Sequence, residues 1–150
     1  MQQITIEKLR NIPLEKIMTI QPIFVNKNDC LDRVEVLFRE MNIRHLPVVD
    51  DQANLVGIIS KTDFNRLQHG LTLFNMPNKE DYDRKLFRMT RVVEVMTKEL
   101  TQLNSKNTLQ EAYQLFKKNV FHAIPIVDNK HLVGIVTPID LLNYLLEEND

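Results

Sequence analysis

Tryptophan is absent, cysteine occurs once and glycine three times in the 150 residues. The lone Cys30 excludes an intrachain disulfide and any CxxC redox or zinc pair, as expected of a chain in a reducing cytoplasm. With only Gly57, Gly70 and Gly134, there is no GxxxxGK[ST] loop and no GxGxxG fingerprint, so the two common phosphate-cradling loops are excluded. His45, His69, His122 and His131 show neither HxxxH nor HExxH spacing, and no nucleophile stands beside a base in sequence. Neither a metal site nor an enzyme is expected. Nineteen Lys and Arg against twenty Asp and Glu give a formal charge of -1, which offers no bulk attraction to nucleic acid or an anionic membrane. Apolar runs such as Leu55 to Ile59 fall far short of the roughly 20 residues that span a bilayer. Met1 to Arg10 lacks the apolar stretch of an export signal, so a cytoplasmic location is expected.

What the sequence does contain is an internal repeat. Met18-Thr19 returns as Met96-Thr97, an offset of 78, and Leu31, Phe38, Pro47, Val49 and Asp50 fall on Leu109, Phe116, Pro125, Val127 and Asp128. The loop Asp51 to Asn54 is answered by the shorter Asn129 to His131. Gly57, Ser60 and Asp63 then match Gly134, Thr137 and Asp140 at an offset of 77. A one-residue change in a surface turn costs little.

Each copy reads as a short strand, a helix, two strands and a second helix, an α/β (α+β) class. Leu31, Val34, Leu37, Phe38 and Met41 form one helical stripe. Leu46 to Asp50 and Leu55 to Ser60 are short, branched runs separated by a polar loop, the pattern of adjacent buried strands. The second copy offers Leu109, Ala112, Tyr113 and Phe116 on a helix, then Ile124 to Val127 and Leu132 to Val136 as strands. A copy of about 50 residues buries little surface alone, so the two β-α-β-β-α repeats are expected to pack through their sheets with pseudo-twofold symmetry. The expected divisions are an N-terminal arm over 1–13, a first copy over 14–68, a linker over 69–91 and a second copy over 92–148. The arm is either a short helix folded back on the second copy or a mobile segment. The linker reads as a turn at Met76 to Lys79 followed by a helix ending near Met89.

Three elements recur in order. The opening is Met18-Thr19-Ile20-Gln21-Pro22 and Met96-Thr97-Lys98-Glu99-Leu100. The middle is Arg44-His45-Leu46-Pro47-Val48-Val49-Asp50 and His122-Ala123-Ile124-Pro125-Ile126-Val127-Asp128. The end is Gly57-Ile58-Ile59-Ser60-Lys61-Thr62-Asp63 and Gly134-Ile135-Val136-Thr137-Pro138-Ile139-Asp140. Over Ile17 to Leu146, the linker aside, the chain resembles the CBS domain family, whose members occur as tandem pairs forming a disc-like module.

The resemblance implies a regulatory sensor that binds AMP, ADP or ATP in a cleft between the repeats and signals to an effector protein. A ligand-free dimerisation or scaffold module is the rival reading, as is an accessory regulator of a separate enzyme that binds S-adenosylmethionine or cyclic di-AMP. Asp63 and Asp140 supply the paired acceptors that a ribose diol needs. Ser60 and Thr137, three positions earlier at a strand-to-helix junction, can meet ribose or phosphate oxygens. Ser or Thr followed three residues later by an acid is also an ordinary helix cap. By the resemblance, Arg44 and His45 in one copy and His122 in the other face phosphates, with Lys61 a further cation. Ala123 stands where His45 would be and Pro138 where Lys61 would be, so the Ser60/Asp63 site is expected to be the stronger. The resemblance places adenine against Ile23 and Phe24 in one copy and Thr101 and Leu103 in the other. The apolar residues Leu141, Leu142, Leu145 and Leu146 suggest a homodimer or complete the monomer's own core.

Overall fold

A computed structural model of the chain describes residues 5–70, 77–118 and 122–147. Residues 1–4 of the expected arm, Met76 of the expected linker turn and Glu148 at the end of the expected second copy lie outside the described residues. The chain divides into two compact units, Ile23–Leu100 and Met1–Pro22 with Thr101–Asp150.

The Ile23–Leu100 unit contains β2 (Val25–Asn26), α2 (Leu31–Glu40), β3 (His45–Val49), β4 (Leu55–Ser60), α3 (Lys61–Gly70), α4 (Lys79–Met89) and α5 (Val92–Val95). Its sheet runs β2-β3-β4, with β2 parallel to β3 and β4 antiparallel. The starts of β2 and β3 and the end of β4 therefore share one sheet end. The hairpin turn is closed by Asp50, whose Oδ1 accepts from the backbone N–H groups of Gln52 and Asn54, both at 2.9 Å, while Ala53 adopts φ 64°. On α2, Leu31, Val34 and Phe38 are buried, whereas Met41, expected on the same stripe, lies past the helix end and is exposed.

The core of this unit is built on Phe64 of α3, 2% exposed, whose ring centroid lies 5.7 Å from Phe38 and 5.4 Å from Phe87. Phe87 belongs to α4, the helix expected as a connection, and it is 3% exposed. Phe87, the buried residue of this charge-rich helix, anchors it to the core.

The other unit contains α1 (Ile6–Arg10), a 3-10 turn at Leu14–Lys16, β1 (Thr19–Ile20), α6 (Leu109–Lys117), β5 (Ile124–Asp128), β6 (His131–Val136) and α7 (Pro138–Glu147). The described part of the arm is thus helical, and α1 packs on α6. The sheet order is β1-β6-β5, both pairings antiparallel. The short first strand expected of the second copy is reduced to one parallel bridge, Leu103 with Ile126. The core gathers Leu14, Ile17, Ala112, Ile124, Ile126, Val136 and Leu141. Thr108 caps α6 with a capping box, taking the N–H of Glu111 and giving its own N–H to the Glu111 carboxylate.

The repeats exchange their opening segments. Thr19 and Ile20, which open the first copy, pair with Ile135 and Gly134 of the second copy. Thr97, which opens the second, exchanges both backbone hydrogen bonds with Ile58 of the first, at 2.9 and 3.1 Å. Upstream the pattern repeats, with Pro13 bridging Thr108 and Arg91 bridging Cys30. This explains both motif glycines. A Cβ on Gly57 would lie 2.8 Å from Cγ of Met96 and 3.1 Å from the Thr97 carbonyl oxygen. One on Gly134 would lie 2.9 Å from Cγ of Met18 and 3.1 Å from the Thr19 carbonyl oxygen. Each Met-Thr pair lies across the glycine of the opposite copy, too close for any side chain.

Candidate functional site

Ser60 ends β4 and Lys61 opens α3, so the first motif sits where a strand becomes a helix. The Ser60 hydroxyl accepts from the backbone N–H of Asp63 at 3.0 Å and donates to Asp63 Oδ2 at 2.8 Å. The other carboxylate oxygen, Oδ1, is 3.5 Å from a guanidinium nitrogen of Arg66, one turn along the helix. Both side chains of that pair are exposed, 78% for Arg66 and 51% for Asp63, so solvent screens it.

The β3–β4 ladder brings the basic residues to the same place. His45 is the cross-strand partner of Ser60, and the carbonyl of Arg44 accepts from the backbone N–H of Lys61 at 2.8 Å. Arg44 is exposed and His45 half-buried. The Lys61 ammonium donates to the carbonyl of Phe38 at 3.4 Å, in the last turn of α2, where a cation also suits the helix dipole. Lys61 thus has a structural occupation of its own. Ile23, half-buried against the core, and the exposed Phe24 precede β2 at the sheet end where β3 starts and β4 finishes.

The second motif closes more fully. Thr137 donates twice to Asp140 Oδ2, from its N–H at 2.7 Å and its hydroxyl at 2.8 Å, and accepts the Asp140 N–H at 3.4 Å. Asp140 Oδ1 takes no hydrogen bond from the described residues. Pro138 occupies the first position of α7, where a missing N–H costs nothing. His122 is exposed and Ala123, at the position of His45, is buried. The last rung of the ladder is Ile124 with Val136, so no counterpart of the His45–Ser60 rung forms. Thr101 is half-buried, two residues before Leu103, whose N–H donates to the Pro125 carbonyl at 3.2 Å.

Both motifs therefore cap their own helices: each hydroxyl accepts the N–H of the acidic residue and donates to its carboxylate, and Asp140 alone also accepts a backbone N–H, from Thr137. A carboxylate has about four lone-pair positions, so a cap leaves room for further donors. Arg66, beside the first motif, is not among the residues that the sequence singles out. Its signal was the position three residues after Asp63, an i,i+3 spacing that places a cation on a carboxylate.

The CBS domain family model matches residues 14–70 and 92–147, most of the chain. The chain belongs to the CBS domain family. It is 32% identical over 155 aligned residues to an uncharacterised protein of Methanocaldococcus jannaschii, covering 90% of this chain and 92% of that one. It spans only about a third of a second, longer protein from that archaeon, to which it is 28% identical over 144 residues. Among solved structures, the CBS domain of a CBS domain-containing membrane protein from Sphaerobacter thermophilus matches with a TM-score of 0.75 and 28% identity, covering 91% of this chain and 90% of that one. CBSX2 of Arabidopsis thaliana, solved in complex with AMP, shares the fold at a TM-score of 0.75 and 24% identity, covering 93% of this chain and 99% of that one.

Proposed function

We propose that this chain is a regulatory CBS pair that binds an adenosine-containing ligand at its Ser60/Asp63 and Thr137/Asp140 motifs and carries no chemistry of its own. The observation that carries the reading is the duplication of one arrangement. Twice, a hydroxyl and a carboxylate converge at the start of a ten-residue helix, at the sheet end where an apolar segment enters. A carboxylate with spare lone pairs suits a ribose diol, and the flanking Ile23, Phe24, Thr101 and Leu103 suit a purine face. The AMP-bound relative of the same fold supports the ligand class. Arg44, His45 and His122 are the groups for any phosphate, which makes AMP, ADP and ATP the first ligands to test.

Ligand acts by differential affinity: it favours one arrangement of the chain, and an effector protein reads that state. Ile139, Leu142 and Leu146, spaced three and four apart on α7, are 60%, 53% and 68% exposed, which supports a homodimer. The deciding experiment is calorimetry with AMP, ADP, ATP, S-adenosylmethionine and cyclic di-AMP on the intact chain and on Asp63→Asn and Asp140→Asn. Binding that weakens at least tenfold in one variant is the expected result. Absence of binding by every ligand leaves a scaffold module in place of a sensor.

A further inference from the structure

We infer that the two copies are specialised for different adenosine ligands, the first for a phosphorylated nucleotide and the second for an adenosine compound without a phosphate, with Arg66 as a discriminating residue. The inference rests on the adenosine-binding reading and deepens it. At four equivalent positions around the two motifs the first copy has Arg44, His45, Lys61 and Arg66, and the second has His122, Ala123, Pro138 and Asn143. Counting Lys and Arg alone, that is three cations against none, and His122 by itself is a weaker anchor for a phosphate than Arg44 with His45.

The structure shows that these positions cluster. His45 faces Ser60 across the ladder, Arg44 is bonded through its backbone to Lys61, and Arg66 rests on Asp63. Lys61 is partly spent on the Phe38 carbonyl, so the two arginines carry the difference. The Arg66 side chain is mostly exposed, and its ion pair among the described residues is a 3.5 Å contact to Asp63 Oδ1, which solvent screens. A ribose hydroxyl donating to Asp63 takes over that oxygen and releases the guanidinium, which is then available to a phosphate as a forked donor. The equivalent positions of the second copy offer no such pair. Asn143 brings no charge, and the Asp140 oxygen left open by Thr137 faces any diol without a competing cation.

The test uses AMP and adenosine as probes, titrated into the intact chain and into Asp63→Asn, Asp140→Asn, Arg66→Gln and Arg66→Lys. Asparagine keeps an oxygen to accept the Ser60 or Thr137 hydroxyl, and thermal melts verify that each variant is folded. Asp63→Asn is expected to weaken AMP at least tenfold and leave adenosine within twofold, and Asp140→Asn to do the reverse. Arg66→Gln is expected to weaken AMP about three- to tenfold without changing adenosine, with partial recovery in Arg66→Lys. Rising salt weakens AMP alone. Loss of both probes in the same carboxylate variant, or unchanged AMP affinity in Arg66→Gln, overturns the specialisation. Failure of both probes to bind the unaltered chain defeats the adenosine reading itself, a separate result.

Discussion

Gly57 and Gly134 show how much one hydrogen atom decides. Each faces a methionine and a backbone carbonyl too closely for a methyl group. Gly57→Ala is expected to destabilise the fold by about 1–3 kcal/mol, the range for overpacking a filled site. Adding Met96→Ala to it vacates the methionine's place, so the pair of changes costs less than the sum of the two alone. Chemical denaturation of the two single variants and the double variant measures that coupling; strict additivity refutes the contact.

Three carboxylates at turns and caps are held below their ordinary range. Asp50 is lowered chiefly by the side chain and backbone of Asn54, Glu111 by the Thr108 backbone N–H and then the Asn107 amide, and Asp128 by the Ser105 side chain and then its backbone N–H. A carboxylate with a depressed folded-state pKa stabilises the fold above its unfolded value, and that contribution fades as pH falls through the folded value. Melting temperature should therefore decline below about pH 4. Glu111→Gln should flatten that decline, and an unchanged acid profile in this variant removes Glu111 from the account.

Among the elements, α3 and α4 depend on aromatic contacts. Phe64 touches both Phe38 and Phe87 from the centre of its unit, so Phe64→Ala is expected to cost about 3–5 kcal/mol and Phe87→Ala to free α4 while the hairpin survives. Hydrogen exchange over Lys79–Met89 tests the second expectation, and full protection there in Phe87→Ala contradicts it. Most strands and helices of the two copies were legible in the sequence, the helices because Leu31, Val34 and Phe38 carry a helical period, the hairpin strands because Leu46 to Val49 and Leu55 to Ile59 are short, branched runs. Phe87 was not, since it lies beside Leu86 and Met89 and far from Tyr82, and this clustering at the end of a run with Asp81, Arg84, Lys85 and Arg88 does not mark one of them as the buried residue. The missing first strand of the second copy has a similar cause: one backbone bridge at Leu103 leaves no pattern in side chains. At the site, the Ser60/Asp63 and Thr137/Asp140 spacing was readable in advance. Arg66 and the second occupation of Lys61 were not, because both depend on which neighbour a long side chain meets.

At the scale of the whole molecule, α7 presents Ile139, Leu142 and Leu146 outward. If a second copy covers them, Leu142→Glu converts the dimer to a monomer in sedimentation velocity without lowering the monomer's melting temperature by more than a few degrees. A dimer that persists places the interface elsewhere. The exchanged openings reach further. Although the sequence is written as one repeat followed by another, no contiguous stretch holding one copy alone carries all its own parts. A fragment ending at Gly70 lacks the Met96-Thr97 segment that covers Gly57, and one beginning at Pro77 lacks the Met18-Thr19 segment that covers Gly134. Each half is expected to be poorly folded alone and to regain native circular dichroism when mixed in equal amounts with the other. For a gene of this kind, loss or transfer of a single repeat yields an orphan, so duplication and inheritance act on the pair as the smallest heritable piece.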